Sequence, residues 1–275
     1  RGLGDVYKRQ LLTPLLILIG IPSAVAVGSG ANQTLGASVS GLIAQWRRGN
    51  VDLRMGLVLL VGGFAGSLVG VQLFAWLRRA GQVDLAVAVF YVVVLGTVGA
   101  LMVRESVGAI LRRGKGRKTR LHEHFWIHGL PLKMRFRKSR LYISVIPPLA
   151  IGFFIGLLSA VMGVGGGFML VPAMIYLLGM PTSVVIGTSL FQVVFVTANV
   201  TFLQAIQVGS VDVVLTLLLL AGGVVGAQFG AAMGGKLRGE ETRALLGALV
   251  LSVAAALLWD LLSVPDQLFV IGPVP

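Results

Sequence analysis

The side chains able to do acid–base, nucleophilic or metal chemistry are scarce, and their spacing suits none of those tasks. Cysteine is absent, histidine occurs 3 times, and Asp plus Glu number 10 in 275 residues. All the histidines fall in His122-Glu123-His124-x3-His128, which is not the spacing of a zinc or other metal signature. Phe125, Trp126 and Ile127 between them suit a segment lying on lipid headgroups. Carboxylates inside a membrane would point to proton coupling. Asp52 and Asp212 instead follow loops at the starts of helices, where a carboxylate caps the first N–H groups. Asp84 and Asp260 stand near the ends of apolar runs and are expected at the interface. An enzyme acting on lipid phosphate would need acid–base or metal groups near the membrane surface, and the histidine run is its one candidate. The sequence calls for no catalytic residue, no metal and no cofactor.

The chemistry that remains belongs to neutral hydrogen-bonding groups. Gly163-Val164-Gly165-Gly166-Gly167 opens a stretch of about a dozen residues that Gly179-Met180-Pro181 closes. As a helix it is roughly 18 Å long, too short for a hydrocarbon core of about 30 Å. Proline ends it, because it lacks a donor and disfavours helix in the residue before it. The segment from Leu11 to Pro22 repeats the device, closing with Gly20-Ile21-Pro22. Helix ends inside a membrane leave free N–H groups and a positive field that favours an anion. Glycine lets a substrate come close to that backbone.

Polar side chains cluster just after each break. Thr188, Ser189, Gln192, Thr197, Asn199 and Thr201 follow the second, and Ser29, Asn32, Gln33, Thr34, Ser38 and Ser40 follow the first. The candidate substrate site is therefore Gly165, Gly166 and Gly167 with Thr188, Ser189 and Gln192, faced by Asn32, Gln33 and Thr34. Neutral donors suit a site that must also release its anion. Glycines four apart, at Gly62, Gly66 and Gly70 and again at Gly222, Gly226 and Gly230, read instead as ridges that let helices pack closely.

The elements that must position these groups are membrane helices. Hydrophobic residues make up 56% of the chain and charged ones 12%, with a mean hydropathy of +0.92. A soluble domain carries roughly 25% charged residues, so lipid is the solvent here. Residues 55–77, 85–103, 141–162, 182–206, 211–233 and 244–263 are each long and apolar enough to span. They are helices because lipid offers backbone groups no partner. The expected class is all-α, a polytopic helical protein of the inner membrane. The net charge of +13 would suggest nucleic acid in a soluble protein. Here 11 of the 23 Lys and Arg residues lie between Arg112 and Arg140, as in a cytoplasmic loop obeying the positive-inside bias. The expected partners are lipid and a small anion, with no nucleic acid; a non-transporting scaffold binding through the basic loop is the remaining alternative.

An internal repeat organises the chain. Pro14 corresponds to Pro172, Gly20-x-Pro22 to Gly179-x-Pro181, Gly28 to Gly187 and Gln33 to Gln192. Further on, Val51-Asp52 corresponds to Val211-Asp212 and Gly62-Gly63 to Gly222-Gly223. The expected organisation is a first repeat over 11–111, a basic loop over 112–140, a second repeat over 141–263 and a tail over 264–275. Loop charges place 47–54 inside and 207–210 outside, so the halves are expected to be inverted. Arg78 and Arg79 run against that count. Residues 1–10 share nothing with the repeat and read as a foreign tail. No counterpart of Tyr142 to Gly167 precedes Leu12, so the first repeat is expected to lack its first helix and glycine run.

The run GVGGGFMLVPAMIYLLGMPTSVVIGTSLF, the GNVD and GSVD turns and the duplication resemble the TauE/SafE sulfite exporter family, from Leu11 to about Leu262. The resemblance implies transport of sulfite, sulfonates or related small organic anions. The chain departs from the family pattern at the first helix and in the long basic loop.

Overall fold

The computed structural model describes residues 12–111, 132–136, 138–139, 141–209, 212, 214–223 and 239–263. The polar tail, the histidine run, Gly226, Gly230 and the C-terminal tail lie outside them. Helix α1 (Leu12–Leu18) precedes α2 (Ser23–Arg47), α3 (Leu53–Arg79) and α4 (Val83–Leu111). A hairpin of β1 (Lys133–Phe136) and β2 (Leu141–Ser144) leads into α5 (Ile146–Met162). Then come α6 (Gly167–Pro172), a wider π turn over Ala173–Leu177, and α7 (Thr182–Leu203), which widens again over Gln204–Val208. Helices α8 (Val214–Gly223) and α9 (Gly239–Leu262) complete the described chain.

Among the described residues, four segments are long and apolar enough to cross a membrane: Leu53–Arg79, Val83–Arg104, Thr182–Gln207 and Leu245–Leu262. The protein is a multi-pass helical membrane protein. Trp76, Phe154, Tyr176, Leu217 and Trp259 are exposed, as side chains facing lipid can be at no cost. The span expected over 141–162 is shorter than its apolar run. Residues 141–144 are a strand paired antiparallel with β1, and the helix begins only at Ile146. Pro147 and Pro148 set that start, because proline suits the first turn of a helix, where the missing N–H had no partner.

Both breaks have one local geometry. Gly20 and Gly179 take left-handed backbone angles, with φ of +92° and +70°. Pro22 and Pro181 then stand before the next helix with φ/ψ of −52°/134° and −61°/132°. In each case the proline carbonyl accepts from the residues three and four ahead: Val25 and Ala26, Val184 and Val185. Helix α2 lies on α7, and α4 lies on α9.

The most extensive helix contact is between α3 and α5, and glycine makes it. A Cβ on Gly62 would overlap the Leu149 carbonyl, and one on Gly66 the Phe153 carbonyl. At Gly70 it would stand 2.7 Å from the Leu157 oxygen. Gly152 and Gly156 return the fit against Leu59 and Gly63. The ridge expected on α8 is different at its described end. Nothing lies within 4 Å of a Cβ built on Gly222, because among the described residues no helix covers α8 as α5 covers α3.

The expected caps are present. Asp52 Oδ1 accepts from the N–H groups of Arg54 at 3.2 Å and Met55 at 3.3 Å. Asp212 Oδ1 accepts from Leu215 N–H at 3.0 Å. Asp52 has a second task that its position in the chain does not reveal. Its Oδ2 accepts from Ser139 Oγ at 2.7 Å and Ser139 N–H at 3.0 Å, and Lys138 Nζ donates to the Gly49 carbonyl at 3.1 Å. The hairpin is thereby latched to the α2–α3 turn, while Phe136 and Ile143 pack into a core with Met55, Leu59, Met174 and Met180. Hydrogen bonds to a charged partner contribute about 1.5–3 kcal/mol each. Asp52→Ala is expected to cost about 3 kcal/mol of stability, read as a lower Tm of the purified protein. An unchanged Tm would mean that the latch contributes nothing.

Candidate functional site

The glycine run lies against both α2 and α7. Gly163 ends α5 in a left-handed conformation, φ +70°, and its N–H donates to the Ser159 carbonyl at 2.8 Å. A Cβ there would overlap the Val27 carbonyl of α2. Gly165 and Gly166 are also left-handed, with φ of +72° and +62°, and Gly166 is the residue from which α6 starts. Three left-handed residues in four reverse the chain between α5 and α6 without side chains, and every residue from Gly163 to Gly166 is buried.

The run touches both equivalent long helices. A Cβ on Gly165 would stand 2.7 Å from Thr34 Cγ2 of α2, and 2.8 Å from Thr197 Cγ2 and 3.1 Å from Val193 Cγ1 of α7. Those threonines turn their hydroxyls away, Thr34 to the Gly30 carbonyl at 2.9 Å and Thr197 to the Val193 carbonyl at 2.6 Å. Their methyl groups wall the glycine. A substituent on Gly166 would instead meet Ile155 of α5.

Gln33, next to Thr34, and Gln192, next to Val193, occupy similar seats. A Cβ on Gly63 of α3 would stand 3.1 Å from Gln192 Nε2, and one on Gly223 of α8 would stand 2.8 Å from Gln33 Nε2. Gly63 and Gly223 are themselves repeat partners. Each amide therefore lies over a glycine belonging to the opposite half. Gln192 is 1% exposed and Gln33 8%, and the Oε1 atom of each is buried with no hydrogen-bond partner among the described residues. Gln192 Nε2 makes only a long bond, 3.4 Å, to the Leu59 carbonyl.

The other expected site residues are placed otherwise. Thr188 Oγ1 accepts from Asp52 N–H at 3.1 Å, at the hairpin end of α7. Ser189 Oγ donates to the Ile186 carbonyl at 3.0 Å. Asn32 is half-buried, and Gly167 is half-buried in the first turn of α6. Thus Thr34, Val193 and Thr197 meet the glycine run at Gly165, Gln33 and Gln192 stand on the same two long helices but are seated on α8 and α3, and Thr188 serves the hairpin end of α7. Sequence reading had placed Thr197 among the polar residues but not against the glycine run. Its spacing of five from Gln192 carries no signal for that contact. Among the described residues no group of three or more His, Cys, Asp or Glu could hold a metal ion.

The profile of the sulfite exporter TauE/SafE family matches residues 10–257. The chain belongs to that family. Among relatives of this TauE/SafE protein, the probable membrane transporter protein YjnA of Bacillus subtilis (strain 168) is 26% identical over 253 residues, covering 91% of each chain. A probable membrane transporter protein of Xylella fastidiosa (strain 9a5c) is 28% identical over 257 residues, 90% of this chain and 86% of its own. The probable membrane transporter protein YunE of Bacillus subtilis is 23% identical over 236 residues, 86% of this chain and 81% of its own. No solved structure matches the chain.

Proposed function

We propose that this TauE/SafE protein is a secondary transporter, not an enzyme, that carries a small anion across the bacterial inner membrane. Sulfite, sulfonates and related organosulfur or organic anions are the class of cargo. The observation that carries the reading is the pair of buried glutamines with unpartnered oxygens, one on each of the long helices that follow the two breaks. Discontinuous helices in corresponding positions of two repeats are where transporters bind their substrates. The family name and the names of the relatives agree with transport. In this reading the halves are inverted, the 112–140 loop is cytoplasmic, and the cargo passes between α2 and α7 beside Gly165.

Charge scarcity fits the task. Residues 12–46, 146–209 and 214–223 contain no Asp, Glu, Lys, Arg or His. An anion leaving water must recover hydration energy from the protein, and neutral amides supply part of it without trapping the ion. Gln192→Ala is expected to weaken sulfite binding about tenfold or more, the equivalent of one hydrogen bond to a charged partner. Purified protein in proteoliposomes, loaded with labelled sulfite and sulfonates, tests both statements. Failure of every anion to cross, or native affinity in both Gln33→Ala and Gln192→Ala, would remove the site from this junction.

A further inference from the structure

We propose that the junction accepts a singly charged oxyanion that still carries a hydrogen-bond donor, and that it rejects the fully ionised dianion. This rests on the transport reading above and adds the charge state of the cargo. A carboxamide offers one donating end and one accepting end, whichever way it is turned. At Gln33 and Gln192 the accepting ends are the unpartnered ones, buried, one in each half. A sulfite or phosphonate dianion has acceptors only. Beside either amide it can accept from Nε2 but leaves Oε1 facing lone pairs. A hydrogensulfite ion, or any oxyanion with one O–H or N–H, can use both ends of an amide.

The charge count points the same way. The cost of moving an ion from water into an apolar medium rises with the square of its charge, and it is already large for one. A second negative charge therefore quadruples that cost. Residues 12–46, 55–77, 146–209 and 214–223, the stretches packed about the two amides, hold no Lys, Arg or His to offset it, and Arg54, Arg78 and Arg79 stand only at the ends of α3. The hydroxyls that could donate are in part committed elsewhere, since Thr34 and Thr197 bond to carbonyls of their own helices. Ser29 Oγ, Ser159 Oγ and Thr201 Oγ1 are buried without partners in α2, α5 and α7, and hydroxyls too are satisfied by a ligand that both donates and accepts. The seats on Gly63 and Gly223 leave no room for a Cβ beside either amide, so the amides are held against backbone.

The test compares ligands of one shape. Methylphosphonate and methanesulfonate are isosteric, and below the second ionisation of the phosphonate each carries one charge, but only the phosphonate keeps an O–H. Displacement of labelled hydrogensulfite from the purified full chain is measured for both, below and above that ionisation. The expected result is a preference of about tenfold or more for the phosphonate monoanion, lost once it becomes a dianion. Methanesulfonate does not titrate in this range, so its profile reports any change in the protein or in the labelled hydrogensulfite, whose own proton leaves in the same range, and the phosphonate is judged against it at each pH. Gln192→Met, which keeps the length of the side chain and removes its oxygen, should shrink the preference. Gln33→Met gives an independent reading of the other half. Equal displacement by methanesulfonate and methylphosphonate, or undiminished displacement by the dianion, would overturn the inference while leaving transport intact. Absence of any binding of hydrogensulfite would instead overturn the transport reading.

Discussion

Gly66→Ala is expected to abolish the folded protein rather than to tune its activity. A methyl group at this position would overlap the carbonyl oxygen of Phe153 in α5, and a backbone carbonyl inside a helix cannot swing aside as a side chain can. The two helices would have to separate along a contact that also depends on Gly62, Gly70, Gly152 and Gly156. In lipid such contacts rest on close packing, because the hydrophobic effect does not drive helices together there. Overpacking typically costs about 1–3 kcal/mol, and more where the structure cannot yield. The expected readout is loss of the monodisperse species in detergent, or a fall in Tm of many degrees. Gly96→Ala is the control, since nothing lies within 4 Å of a Cβ there and alanine favours a helix by about 1 kcal/mol over glycine. Equal stability of the two variants would mean that the α3–α5 ridge is not in contact.

Gly165→Ala is expected to lose anion binding while the protein stays folded. Two effects act together. The left-handed backbone, φ +72°, costs a residue with a Cβ about 1–2 kcal/mol. The new methyl group would also press on Thr34 and Thr197 at 2.7 and 2.8 Å, spreading α2 from α7 beside the two glutamines. Those neighbours are methyl ends of side chains and can give way, so stability should fall less than at Gly66. Gly179→Ala separates the two effects. It carries the same kind of strain, φ +70°, with open space around it. Sulfite affinity is expected to fall at least about tenfold in Gly165→Ala, a loss of roughly 1.4 kcal/mol, and to stay near native in Gly179→Ala. Matching affinities would show that the glycine run is a chain reversal with no part in binding.

Much of this protein is legible in its residues one at a time. The apolar runs announce membrane helices because lipid leaves a backbone no other way to satisfy itself. Gly20-x-Pro22 and Gly179-x-Pro181 announce breaks because proline and left-handed glycine act on their own φ and ψ. Asp52 and Asp212 announce caps because a cap bonds within three residues. These are local effects, and a chain without tertiary structure would show the same preferences. The duplication is legible too, since it needs only the order of Pro, Gly, Gln and Asp.

Contact between elements could not be read that way. The repeat makes Gln33 equivalent to Gln192 and Gly63 to Gly223, yet only the fold seats each amide on the glycine of the opposite half. Thr188 and Thr197 lie nine residues apart on α7. One holds the Asp52 N–H and the other walls Gly165, a division set by which neighbour each part of the helix meets. The β-hairpin was hidden within a basic loop and an apolar run, and its Ser139 joins Asp52 across 87 residues. Local propensity chose the elements and where they break. Close packing between elements distant in the chain decided which side chains would meet.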